Sequence, residues 1–420
     1  MKSKLESILY TLYPFALVFF AFSIPISYRI SIYALGFLAL IGILLIIYTH
    51  NFYHISGNKI SIGLIVFWFI HLLSLFYTDN IKYGLSDISQ KISMLVIPLT
   101  LFSNLVDDKL IIKIKKAFVL SLFFSSIYFI IRALSLSLVI TPVGLFFRPN
   151  PVGLPWENYF FYDLFVRPHH PTYYSMYLVL GITFLLGDIR KKTVFKSRWQ
   201  IYLITLYFIG IIFLTSSKAG ILTVFTVLLV ILFWHLKSKG KLILSSALVV
   251  LIISGVFVAT RNNRFSATIT YLKDYTSQTE ANDNDLAKKD LTRLEIWKSV
   301  PKVFSGVDLI SGVGTGDVKA RLKEAYLANN AVYAFNEELN THNQFLQTLV
   351  GIGLIGFIVL ISILLFSFYL AIRDKDMVLT SFIILIFINF MFEAVLERVF
   401  GVLFFSFFLI FLVNKFRSKV

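Results

Sequence analysis

The sequence predicts an all-α fold: a polytopic membrane helix bundle of about twelve transmembrane helices with one large helical loop on the outer side. Three observations carry this. Apolar types make up 57% of the 420 residues and charged types 15%, where a soluble domain carries about 25% charged residues. Apolar residues run on continuously rather than alternating, which gives spanning helices and not barrel strands. Lys and Arg gather in every second connection, as the orientation of membrane helices requires.

The same composition excludes disorder and collagen-like chains. There is no cysteine, hence no disulfide framework, no thiolate nucleophile and no Cys-ligated metal. The net charge of +16 would suggest nucleic acid in a soluble chain. Here membrane topology accounts for much of it, and no nucleic-acid partner is expected.

Apolar runs near the 20-residue spanning length fall at 8–27, 30–48, 60–77, 93–106, 113–137, 171–187, 199–215, 219–236, 242–259, 343–372, 377–395 and 399–414. The fourth is short and the tenth long. Placing the N-terminus in the cytoplasm puts Lys2/Lys4, Lys59, the Lys109–Lys116 group, the Arg190–Arg198 cluster, Lys237/Lys239/Lys241, Arg373/Lys375 and Lys415/Arg417/Lys419 inside. The outer connections hold far fewer: Arg29, Lys82, Lys91, Arg148, Arg167, Lys218 and Arg398. Both termini are therefore expected to be cytoplasmic. The first run lacks a small-residue cleavage pattern and is read as a retained span. The organisation is helices 1–9 over 1–259, a large outer loop over 260–341, and helices 10–12 over 342–420.

Two outer segments exceed what a connector needs, 138–170 and 260–341. The second shows helical periodicity, with Leu291, Leu294, Trp297, Val300 and Phe304 at three- and four-residue steps. A further helix is expected after Gly316, with Asp317 as N-cap and Val318, Leu322 and Tyr326 on one face. The Gln278–Asp285 stretch reads as a loop tip.

Chemistry concentrates at the outer ends of the spans. Thr341-x-x-Gln344 reads as a capping box that would place His342 in the first turn of the tenth helix, at the water boundary. There the imidazole is a candidate proton acceptor, beside N–H groups that favour an anion such as phosphate. The alternative is an interfacial His without a role. Gly351, Gly353 and Gly356 read as small-residue helix packing. Thr215–Gly220 is a tight turn that sets Lys218 at a helix N-terminus; a cation is unfavourable there unless an anion binds, or unless it snorkels. Arg293, on the amphipathic helix, suits bidentate phosphate binding; its alternative is a surface charge.

Arg167-Pro168-His169-His170-Pro171 precedes the sixth helix, with Pro171 in its first turn. Two adjacent His without a carboxylate are a weak metal signal, so Arg167 and His170 are read as structural or substrate contacts. Gly312-x-Gly314-x-Gly316 lacks the surroundings of a dinucleotide fingerprint and reads as a loop leading into a helix. Glu393, inside the eleventh span, is costly unless paired. Glu397 is its i+4 neighbour, so Arg398, Lys218 or a bound cation is expected to neutralise the pair.

These residues together resemble a known family. His342-Asn343, nine residues, then Gly353-x-x-Gly356 is similar to the H-[NSQ]-x9-G-x-x-G signature of the bacterial O-antigen ligase/polymerase family. Ser217-Lys218-Ala219, Arg293-x-x-x-Trp297 and Gly312–Gly316 fit the family's order of a short basic turn, an R-x-x-x-W segment and a G-x-G-x-G loop. His170-Pro171-Thr172-Tyr173 is like the H-P-x-Y ahead of it. The resemblance covers about 165–410. It departs at Lys218, where the family usually has Arg, so charge is kept but bidentate geometry is lost.

The resemblance implies a GT-C-like integral membrane enzyme of the bacterial inner membrane with its active site facing the periplasm. It implies a metal-independent, inverting glycosyltransferase without a cofactor. Its donor would be a glycan on undecaprenyl diphosphate. Its acceptor would be a sugar hydroxyl on lipid A–core (ligase) or on another lipid-linked glycan (polymerase). Arg293 and Lys218 would hold the diphosphate, His342 would orient or deprotonate the acceptor, and Asn343, Arg167, His170 and Glu393 would support it. A protein O-oligosaccharyltransferase shares these motifs. A lipid-linked oligosaccharide flippase would need a cationic cavity at the midplane, for which His71, Arg132 and Glu393 are the few candidates. A cell-wall glycosyltransferase would rely on an outer carboxylate, Asp163 or Glu157.

Overall fold

The computed structural model describes residues 2–49, 58–101, 105–150, 158–190, 192–236 and 285–414. Through the first half run α1 (Lys2–Ser23), α2 (Tyr28–Thr49), α3 (Lys59–Leu73), α4 (Ile81–Gln90), α5 (Ser93–Thr100) and α6 (Asp108–Ser137). An antiparallel hairpin, β1 (Leu138–Thr141) and β2 (Gly144–Phe147), follows. Then come α7 (Tyr162–Val166), α8 (Pro171–Gly187), α9 (Arg198–Thr215) and α10 (Lys218–His235). The rest is α11 (Asp285–Ser299), α12 (Asp308–Ser311), α13 (Val318–Ala328), α14 (Val332–Asn336), α15 (Gln344–Arg373), α16 (Met377–Phe392) and α17 (Val399–Asn414). Local chemistry sets the breaks. Asp107 caps α6 through Leu110 N at 2.7 Å, and Asp376 caps α16 through Val378 N and Leu379 N. Ser216, at φ +49°, turns the chain between α9 and α10.

Seven helices among the described residues are long and apolar enough to cross a membrane, and the chain is a multi-pass helical membrane protein. The twelve expected runs divide as follows. Seven coincide with these helices. The fourth run holds only the eight-residue α5, so it lacks a helix of spanning length. The sixth, eleventh and twelfth form α8, α16 and α17, of 17, 16 and 16 residues. At 1.5 Å per residue these are somewhat short for a bilayer core of about 30 Å. The ninth run, 242–259, lies outside the described residues, as do the loop tip at 278–284, Glu157 and the lysines at 237–241 and 415–419.

The chain forms two compact units. One comprises Met1–Leu72, Ser86–Ile231 and Ile358–Val420. Its centre is α8 and α17, buried along nearly their whole length. A helix apolar on every side belongs in a core. Phe118, Phe184, Phe404 and Phe408 interlock there, with ring centroids between 4.6 and 6.5 Å. Two polar contacts cross this core: Ser406 Oγ donates to Ser93 Oγ at 3.0 Å, and Tyr177 Oη donates to Phe400 O at 2.9 Å.

The other unit comprises Leu73–Leu85 and Leu232–Phe357. The expected amphipathic pattern holds in part. Ile296, Val300 and Val303 turn inward against Val318, Leu322, Ala325 and Tyr326 of α13, while Leu294 is exposed. The helix after Gly316 forms as expected, with Asp317 at its N-cap. The glycine loop is a structural hub. Val313 N and Gly314 N donate to Val350 O and Gly351 O at 2.9 and 3.1 Å. Thr315 N and Gly316 N donate to Ser74 Oγ and Thr78 Oγ1 at 3.1 and 3.0 Å. The Asp317 carboxylate accepts from Asp79 N and Asn80 N at 2.7 and 2.9 Å.

The carbonyls of Val350 and Gly351 are available because α15 breaks its helical path at Ile352 and Gly353, where Gly353 sits at φ +65°. A Cβ at Gly353 would collide with the Ile310 carbonyl. The glycines expected to serve helix packing thus include a kink that the sequence reading did not foresee. Gly353→Ala should cost at least about 3 kcal/mol, from the collision plus the left-handed backbone. Gly306→Ala, also at positive φ but with open space around it, should cost only about 1 kcal/mol. Melting temperatures of the two variants in one detergent test the ranking.

Candidate functional site

His342 stands in the second unit, and the expected capping box is not what holds it. α15 begins at Gln344, and its N-cap is Asn343. Asn343 Oδ1 accepts from Phe345 N and Leu346 N at 2.9 and 3.1 Å. His342 is therefore not in the first helical turn. It precedes the cap in the left-handed region, at φ +45°. Such a conformation in a non-glycine residue must be held by its surroundings. Asn340 Oδ1 accepts from His342 N at 2.9 Å, Thr341 Oγ1 donates to Asn343 O, and Gln347 Oε1 accepts from Thr341 N. Thr341, Asn343 and Gln347 are buried, and His342 and Asn340 are half-buried.

Arg293 reaches the same unit through its helix. One turn further along α11, Trp297 Nε1 donates to Thr341 O at 2.9 Å. The Arg-x-x-x-Trp spacing puts both side chains on one helical face. The indole fastens that face to the residue before His342, and Arg293 is half-buried. Asn343, expected to orient His342 or a sugar, has its side-chain oxygen engaged as the helix cap.

Lys218, Arg167, His170 and Glu393 belong to the first unit. Three of them share one end of it. Lys218 opens α10 from an exposed position. The preceding Ser217 Oγ contacts Thr172 Oγ1 at 3.4 Å, in the first turn of α8. His170 is the N-cap of that helix, accepting from Thr172 N at 3.4 Å. Farther along α10, Thr223 Oγ1 accepts from Asn389 Nδ2 of α16 at 3.0 Å, four residues before Glu393. Arg167 pairs on the surface with Asp163 at 2.7 Å. His169 is buried among Phe129, Tyr174, Tyr177 and Phe400 and faces Ile26 O, so the adjacent histidines have separate surroundings.

Glu393 was expected inside a helix. Instead α16 ends at Phe392 and Glu393 is extended. Glu397 lies in a 3-10 turn and pairs with Lys91, a partner that the sequence reading did not foresee. Lys91 Nζ lies 2.5 Å from Asp87 and 3.0 Å from Glu397, with the Lys side chain 1% exposed. Sequence reasoning took Lys91 for an outer-loop charge. The i,i+4 spacing from Asp87 was the available signal, but burial was not legible. The Tyr173 hydroxyl is buried with no hydrogen-bond partner among the described residues. The charges acting on it are Glu393, Arg398 and Glu397.

Removing one member of a buried ion network leaves an uncompensated charge. Lys91→Met should therefore destabilise by about 3–5 kcal/mol. Adding Asp87→Asn and Glu397→Gln should recover most of that loss, as read by thermal unfolding in nanodiscs. A triple variant no more stable than Lys91→Met would show that the cluster is not held by charge balance.

Residues 203–361 match the family model described as O-antigen ligase. No curated protein matches the chain. The matched stretch holds Lys218, Arg293, His342, Asn343 and the Gly353–Gly356 pair, whereas Arg167, His170 and Glu393 fall outside it. The stretch is narrower than the 165–410 over which the motifs are similar, and it supports the resemblance to the O-antigen ligase/polymerase family.

Proposed function

We propose that the protein transfers a glycan from undecaprenyl diphosphate to a sugar hydroxyl at the periplasmic face, as an O-antigen ligase or an O-antigen or exopolysaccharide polymerase. The observation that supports this best is the Trp297–Thr341 bond, which fastens the Arg293 helix to a rigid turn carrying His342. A cation and an imidazole carried on elements joined by one bond suit a reaction in which an anion departs as a hydroxyl proton is removed.

In this reading His342 takes the proton of the acceptor hydroxyl. The oxygen attacks the anomeric carbon from the face opposite the diphosphate. The C1–O bond to phosphate breaks, and its electron pair leaves on the undecaprenyl diphosphate. Arg293 and Lys218 meet the negative charge that develops there, which makes a metal unnecessary. A single displacement inverts the anomeric centre. Asn343 fixes the turn behind His342, and His170, Arg167 and Glu393 support the glycan or the lipid.

Purified protein in nanodiscs, given its lipid-linked donor, should form product in the presence of EDTA. His342→Ala should reduce the rate by about 10²–10⁴ with an unchanged melting temperature, the usual range for a general base. Full activity in that variant would remove His342 from the chemistry. Arg293→Lys keeps charge but loses the planar fork, and should lower kcat more than it raises KM. Trp297→Phe, which frees the Thr341 carbonyl, should lower kcat while sparing donor binding. A deletion strain separates the acceptors: loss of all long chains on lipid A–core marks a ligase, a single repeat unit marks a polymerase.

A further inference from the structure

We propose that a cleft in the second unit, between residues 77–82 and the Val307–Glu324 segment, binds carbohydrate and seats sugar rings against Tyr77. The cleft measures about 1080 Å³. That is at the upper edge of the roughly 300–1,000 Å³ of small-ligand pockets, so it has room for more than one pyranose ring.

Its lining argues for a polyol over an anion. Lys82 and Arg321 are the cations, against the carboxylates of Asp79, Asp308, Asp317 and Glu324. The excess of negative charge disfavours phosphate. Planar carboxylate, amide and guanidinium groups, with Asn80 among them, suit the paired donors and acceptors of neighbouring sugar hydroxyls. Glu324 lies 3.9 Å from Arg321, and two further carboxylates are already committed. Asp317 holds Asp79 N and Asn80 N, and Asp308 accepts from Ser305 and from Arg321 at 3.0 Å. Burial opposes ionisation of Asp308, but the Ser305 hydroxyl and backbone N–H and the Arg321 guanidinium outweigh it, and its carboxyl lies below the usual range. These bonds fix the walls before any ligand arrives, which lowers the ordering cost of binding.

Tyr77 supplies an apolar platform. Its hydroxyl donates to Ser311 O at 2.6 Å, which pins the ring, yet the residue is 46% exposed. An aromatic face is negative at its centre and attracts the weakly positive C–H groups of a sugar ring. Val307, 71% exposed on the opposite wall, adds a second apolar contact. For the identity of the sugar this assignment rests on the glycan-transfer reading: the occupant is the sugar portion of the lipid-linked chain, away from its diphosphate.

The test uses the full-length protein in nanodiscs. The probe is the lipid-free glycan released by mild acid from the lipid-linked pool of the producing cells, followed by saturation-transfer NMR, with inorganic phosphate in parallel. Saturable glycan binding is expected, and none of phosphate at this cleft. Tyr77→Ala should weaken the glycan by about tenfold or more, whereas Tyr77→Phe, which keeps the ring, should stay within about threefold. His342→Ala should bind like the unmodified protein. If Tyr77→Ala fails to fold, the exposed Glu324→Ala and Lys82→Ala take its place and should each weaken binding. Absent glycan binding, binding indifferent to these substitutions, or phosphate competing for the cleft would overturn the proposal. Protein that transfers glycan but shows no lipid-free binding sinks the cleft alone; protein that binds but never transfers sinks the transferase reading alone.

Discussion

The five residues Gly312–Gly316 hold the second unit together by backbone hydrogen bonds in two directions. One side of the loop accepts the shape of residues 74–80; the other reads the carbonyls of Val350 and Gly351. Those carbonyls exist as acceptors only because α15 leaves its helical path at Ile352–Gly353. The kink and the loop are therefore one structure. In an apolar setting a helix that forfeits its own hydrogen bonds must find others, and here a glycine loop supplies them. Side chains would prevent the approach, since a Cβ at Gly312 would run into the Gly351 carbonyl and one at Gly316 into Asn80.

The turn that carries His342 inherits this rigidity. It leads into the first turns of α15, two helical turns before the kink, and is fastened from the other side by Trp297. A left-handed histidine is an uncommon conformation, maintained by hydrogen bonds from Asn340, Thr341 and Gln347 around it. The first unit solves a different problem. It buries a lysine between two carboxylates, and there the same low dielectric that penalises each charge alone strengthens the attraction between them.

Much of the second unit could be read from residue order. The helix after Gly316 and its buried face of Val318, Leu322 and Tyr326 follow from periodicity and a capping residue. The His342 motif was visible, but its geometry was not. Thr341-x-x-Gln344 has the form of a capping box, yet Asn343 competes for the same helix end, and an Asn side chain two residues later makes the shorter link to free N–H groups. Leu294 fits the apolar stripe and still faces outward, because the stripe that packs is shifted towards Ile296.

Sequence alone determined that this chain is helical and membrane-spanning, and which family it resembles. These follow from local quantities: the length of apolar runs, the distribution of cations, and motif spacing. Tertiary structure decided the partners. It assigned Glu397 to Lys91, gave Gly353 a kink rather than a packing contact, and set Tyr77 against Ser311 across 234 positions of chain. Each is a contact between residues remote in sequence, and its energy depends on burial and geometry that no short window of residues contains.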